Sequence, residues 1–177
     1  MTTLGLQLTN KSEWIEMFPF GVAMGVNNVR PVMIFKDKAG KRVLPVWLSH
    51  MDAGLAVVQA NSIYVRGTRS EGMPHEISFQ ILETLGIEIE KCLFKAVKGN
   101  HQYVDLHFKS KKEEKKLPKG LNKLEARADD AISFCMRSGC RFYATVDYIE
   151  RSRVLEGEIV GMQVSRAEGA NPHPYIN

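Results

Sequence analysis

Leu124-Glu125-Ala126-Arg127-Ala128-Asp129-Asp130-Ala131-Ile132-Ser133-Phe134-Cys135-Met136-Arg137 places four ionisable side chains in its first seven residues, then turns almost wholly apolar. The change predicts a strand end over Asn122–Ala126, a tight corner, and a helix starting at Asp129 or Asp130. An aspartate there accepts a hydrogen bond from an unpaired first-turn amide, and its charge suits the positive helix end. Gly139 stands where a helix-ending glycine belongs, with Arg137 in the last turn. Two readings of the acids follow. In one, Asp129 and Asp130 are caps and Arg127 is their ion-pair partner. In the other, Glu125, Arg127, Asp129 and Asp130 gather on one side of the corner and line a polar site. The segment alone leaves both open.

Outward from this corner the chain alternates strands and helices. Glu88–Val97 and Gln102–Lys109 read as a hairpin around Lys98-Gly99-Asn100, with Tyr103, Asp105 and His107 opposing Val104, Leu106 and Phe108. The lysine-rich segment 109–123 reads as an exposed loop. On the C-terminal side, Arg141–Val146 is a short strand, Asp147–Arg153 a last helical turn, and 155–177 a tail with a further strand at Glu158–Val164.

Nearer the N-terminus, Trp14–Val26 reads as a strand bent near Pro19 and Gly21, since proline cannot donate to a ladder and glycine tolerates the bend. Pro31–Lys36 and Arg42–Leu48 complete a three-strand antiparallel meander around a turn at Asp37–Gly40. Ser49 then caps a helix over His50–Ala60 in a capping-box arrangement with Asp52, burying Leu55, Val58 and nearby alanines. Pro74 starts a second helix, with Ile77, Ile81, Leu82 and Leu85 at helical spacing and Gly86 closing it. The outcome is an α+β fold: an antiparallel or mixed sheet covered by three main helices.

The 177 residues suit one domain with appended ends, and 44% apolar with 25% charged residues are those of a globular protein. The net charge of +4 sits largely in the lysine-rich segment and is no footprint for nucleic acid over the whole surface. Cys92, Cys135 and Cys140 form no Cys-x-x-Cys pair and read as reduced thiols. No apolar run approaches the ~18 residues that span a bilayer, and no secretory signal opens the chain, so a cytoplasmic protein without membrane partners is expected. Glycine-rich phosphate loops, nucleophile elbows and His-Glu-x-x-His helices are absent from the sequence.

Three helix starts carry the remaining chemistry: His50 with Asp52, His75 with Glu76, and Asp129 with Asp130. Glu76 suits the helix dipole on its own. His75, with a pKa near neutrality, can also carry a proton or ligate a metal beside the third helix's acids. The sequence permits the three starts to converge at one sheet edge. Trp14 and Trp47 read as core or interface anchors, and His101 and His107 as incidental.

In order, these segments resemble the bifunctional nuclease domain family. Leu44-Pro45-Val46-Trp47-Leu48 matches its Leu-Pro-Ile-Trp-Ile signature, and Asp52-Ala53 its Glu-Ala. His75-Glu76 falls where His-Asp is expected, at the matching distance before Leu85-Gly86. Glu125-Ala126-Arg127-Ala128-Asp129-Asp130-Ala131-Ile132 matches Asp-Ala-Arg-Pro-Ser-Asp-Ala-Ile, with Arg137 in register. Ala128-Asp129 replaces Pro-Ser, aspartate and glutamate are exchanged at the matched acids, and the Arg-Pro-Leu-Thr before the histidine is missing. The likeness covers most of 14–154, leaving an arm over 1–13 and a tail over 155–177.

The resemblance implies a self-associating α+β domain, with a dimer favoured, and nuclease activity on DNA and RNA. The catalytic expectation is His75, Glu76, Glu125, Arg127 and Asp130. Arg127, Arg66 and Arg69 would bind substrate, and Asp52, Glu76, Glu125, Asp129 and Asp130 would hold Mg²⁺ or Mn²⁺, which prefer oxygen ligands. The alternative is a non-catalytic oligomeric module, ligand-binding or regulatory, of the same fold.

Overall fold

Alternating apolar residues in the first half of the chain build the expected meander. In the computed structural model, which describes residues 13–23, 30–49, 51–57, 75–99, 101–112 and 116–153, it comprises β1 (Trp14–Ala23), β2 (Val32–Asp37) and β3 (Val43–Trp47). All pairings are antiparallel, and the β1–β2 register shifts between Pro19 and Gly21, where the bend was expected. The Asp37 carboxylate closes the turn by accepting the amides of Lys41 at 2.7 Å and Arg42 at 3.1 Å.

A short helix α1 follows over 51–57. It buries Ala53 and Ala56, while Leu55 is only half-buried, so the small residues and not the leucine face the core. Val58 lies outside the described residues. Helix α2 (Glu76–Leu85) begins later than a first-turn Pro74 would have it. His75 is its cap, and Pro74 lies outside the described residues. Ile77 is 77% exposed, and Ile81 and Leu85 are exposed too; only Leu82 of that stripe packs on the core.

The hairpin β4 (Ile87–Lys98) and β5 (His101–Ser110) leads to β6 (Lys123–Arg127), helix α3 (Ala128–Ser138) and β7 (Arg141–Thr145). The expected last turn is a fourth helix, α4, over 146–153. The sheet order is β3-β2-β1-β7-β4-β5-β6, with β7 parallel to β4 and every other pair antiparallel. The fold is thus α+β with a mixed sheet. The further strand at 158–164 lies outside the described residues. Among those residues no helix is long and apolar enough to cross a membrane.

One face of the sheet and the helices enclose the core. Phe35 meets Phe94 edge-on at 5.3 Å and Phe142 at 5.0 Å, geometries that aromatic quadrupoles favour. Cys92 and Cys135 are buried and Cys140 partly so, all as free thiols. Trp47 is buried, whereas Trp14 is exposed on the other face.

Helix α3 ends as its sequence predicts. Gly139 is left-handed (φ 69°), its amide 3.2 Å from Met136 O, and the Cys140 amide 3.2 Å from Cys135 O. A Cβ there would meet no neighbour, so strain in the backbone is the cost of adding one. Gly139→Ala is expected to destabilise by about 1 kcal/mol, lowering Tm by about 3 °C in a thermal melt.

Candidate active site

Each acid of the site is placed by the start of a helix. The Ser49 hydroxyl accepts the Asp52 amide at 3.1 Å and donates its own proton to the Asp52 carboxylate. That is a cap, though the acid returns to the hydroxyl of Ser49 and not to its backbone amide as a full capping box requires. At α3 the helix begins at Ala128, one residue before the expected start. Arg127 is the cap and gives no side-chain capping bond, so Asp129 and Asp130 occupy the first turn. Arg127 grips Asp129 with two nitrogens, Nε at 2.9 Å, and comes within 3.9 Å of Asp130.

These two starts meet. Carboxylate oxygens of Asp52, Asp129 and Asp130 all lie within 4.8 Å of one another, and Asp130 is the exposed member. Among the described residues they are the one set of three acids, histidines or cysteines so gathered.

The start of α2 joins them through His75. Its Nε2 is 2.7 Å from Ser133 Oγ, one helical turn after Asp129, and its ring centroid is 5.6 Å from that of Phe134. His75 has φ 65°, alone among described non-glycine residues in a left-handed conformation. Such strain persists where surrounding contacts over-determine it, and these two contacts do so. Burial lowers the His75 pKa below its ordinary 6.5, while the nearby Asp52 charge pulls it back up. Burial thus favours the neutral imidazole, whose Nε2 is engaged with the Ser133 hydroxyl.

A depressed histidine pKa means that its contribution to stability is present above pH 6.5 and is lost as pH falls through the folded-state pKa. Removing the Asp52 charge removes the upward pull. An NMR titration is expected to find His75 below 6.5, and lower still in Asp52→Asn; an unchanged or raised value would contradict the geometry.

Two expected residues do not reach the carboxylates. Glu76 points along α3 to Arg137 (2.7 Å), whose guanidinium lies 4.2 Å from the Phe79 ring centroid. Glu125 pairs with Asp105 across β5 and β6, on the sheet face away from the core. There it binds Lys98 at 2.9 Å and Lys95 at 3.3 Å, and hydrogen bonds from these two lysines hold its pKa down. Arg66, Arg69 and His50 lie outside the described residues.

Other residues enter that the sequence did not single out. Ser133 had a signal, being four residues after Asp129 and so on its helical face. Arg30 and, from β5, the adjacent His101 and Gln102 had none: with Trp47 and Asp129 they line a shallow cleft with room for little more than a water molecule. His101, read from the sequence as incidental, lines this cleft. The convergence that the sequence permitted is thus seen for the starts of α1 and α3, whose acids meet, with His75 joined to α3 through Ser133. No curated protein matches the sequence. The bifunctional nuclease domain model does match, over residues 33–156, and the chain belongs to that family.

Proposed function

We propose that this domain hydrolyses phosphodiester bonds of DNA or RNA at Asp52, Asp129 and Asp130, with Mg²⁺ or Mn²⁺ held between them. The meeting of these three carboxylates supports the reading. Like charges this close are costly unless a cation or proton lies among them, and an all-oxygen donor set suits these hard ions. The ion would offset charge on the phosphoryl oxygens.

The side chains divide the remaining work. His75, held neutral by burial, accepts a proton from the attacking water. Arg127 presents the planar fork that suits phosphate as well as the carboxylate it now holds. Arg66 and Arg69, in the connection between the first two helices, would add phosphate contacts. Glu76 and Glu125 stay with Arg137 and with Lys95 and Lys98 and take no part in the reaction.

Purified protein is expected to degrade nucleic acid in Mn²⁺ or Mg²⁺ and to stop in EDTA. A folded sample that leaves single- and double-stranded DNA and RNA intact with either metal would overturn the proposal. One observation favours a second reading, a non-catalytic oligomeric module: Asp52 and Asp129 already have local partners in Ser49 and Arg127.

A further inference from the structure

The sheet face away from the core is rich in aromatic and basic side chains. Along β1, Met17 points into the core, so Trp14 and Phe18 point outward; Phe20, in the bulge, is 65% exposed. Lys36 Nζ lies 3.3 Å from the Phe20 ring centroid, which places both on this face. The register then aligns one row across the strands. Phe18 pairs with Lys36 on one side, Lys91 pairs with Arg141 and His107, and His107 pairs with Lys123. β7, carrying Arg141 and Tyr143, lies between β1 and β4 and links the two halves of the row.

The charges along the row are unequally satisfied. Lys123 is held by Asp105 at 2.8 Å. Lys36, Lys91 and Arg141 have no carboxylate within ion-pair distance among the described residues. In the neighbouring row Glu125 and Asp105 are engaged by Lys95, Lys98 and Lys123, which leaves Glu16, paired with Tyr143, as the acid beside Arg141, with no ion pair among the described residues. Free cations in a line, with aromatic rings at their feet, are complementary to a polyanion whose monomers carry flat apolar rings. Strand spacing of about 4.8 Å puts successive cations about 5–10 Å apart along the row, a reach that suits a flexible sugar–phosphate chain.

We infer that this face binds single-stranded nucleic acid running across the strands, with phosphates on Lys36, Arg141 and Lys91 and bases stacked on Phe18, Phe20 and Tyr143. A duplex hides its bases and cannot use the rings; a single strand can. The face also leads toward the carboxylates. Tyr103, under Lys98 at 4.6 Å, pairs with Arg127, whose side chain turns from this side of β6 to Asp129. The inference rests on nucleic acid being the substrate in the function proposed above, and does not require hydrolysis.

The test is fluorescence anisotropy with a labelled single-stranded 12-mer and its duplex, in EDTA so that nothing is cut. Wild type is expected to prefer the single strand. The triple variant Lys36→Gln, Lys91→Gln, Arg141→Gln should flatten the dependence of log affinity on log salt by about two, because each single-strand phosphate contact contributes ~0.7. Phe18→Ser with Phe20→Ser should weaken binding about tenfold or more at an unchanged salt slope. All these positions are surface ones, and a thermal melt checks that each variant folds.

Wild-type affinity and slope in both variants would overturn the inference, as would a preference for duplex. So would a dimer, seen by sedimentation, that the phenylalanine variant dissolves while oligonucleotide affinity stays put; the face would then belong to a second copy. Cleavage in Mn²⁺ with unaltered binding in both variants sinks this inference alone. Binding by the face without cleavage sinks the hydrolytic reading alone.

Discussion

Asp130→Asn is expected to lower metal-dependent cleavage by about a hundredfold or more while leaving the melting temperature of the metal-free protein unchanged or slightly raised. The expectation follows from where the side chain sits. Asp130 is exposed and 3.9 Å from Arg127, so it is no essential part of the fold, yet its oxygen lies within 4.8 Å of those of Asp52 and Asp129. Amide for carboxylate keeps the shape and removes one of three negative charges. In the metal-free protein that relieves repulsion; with metal it removes a ligand. The non-catalytic reading expects the reverse, a lower melting temperature and no turnover to lose. Parallel melts and cleavage assays on one preparation separate the two.

Gln102→Leu is expected to cost about 2–5 kcal/mol, the penalty for stranding buried polar groups, and to lower Tm by roughly 10 °C. The Gln102 side chain is buried and acts as a substitute strand along the free edge of β3. Its oxygen accepts the Trp47 amide at 3.0 Å, and its nitrogen donates to Pro45 O at 2.9 Å and Ser152 Oγ at 3.1 Å. It thereby joins β5 to the far edge of the sheet and to α4. Leucine fills similar space but leaves an N–H and a C=O without partners. Urea unfolding that shows a loss under about 1 kcal/mol would mean that these groups find water or other donors. Because Gln102 also lines the cleft beside Asp129, a loosened β3 edge should reduce cleavage as well.

Local chemistry made much of the architecture legible. Strand alternation, the bend at Pro19–Gly21, the glycines that end α2 and α3, and the Ser49 cap all depend on residues close in sequence. Glu125 shows where that reasoning stops. Its neighbours in the chain suggested a shared corner with Asp129, but strand parity sends it to the opposite face, toward lysines of β4. Asp105 belongs with it: strand alternation set it opposite the core residues Val104 and Leu106, and it is nevertheless only 5% exposed, enclosed with Lys95 and Lys123. The apolar stripe of α2 was legible as a helix and misleading as a core, since Ile77 and Ile81 face outward.

The convergence of the helix starts depends on the parallel insertion of β7 between β1 and β4, a pairing between distant segments that no local pattern encodes. The same insertion builds the basic row on the outer face. His75 was legible as a candidate from its type and place, but its left-handed backbone and its bond to Ser133 were not. His75 meets Ser133 and Phe134 of α3 across segments far apart in the chain, and local pattern carries no trace of such contacts.

If the starts of α1 and α3 form a cation site beside His75, an ion must be found between them. A crystal soaked in MnCl₂ and measured at the manganese absorption edge would reveal it. One anomalous peak is expected among Asp52, Asp129 and Asp130, lost in Asp130→Asn or Asp52→Asn. A map with full occupancy elsewhere and nothing between these three side chains would contradict it.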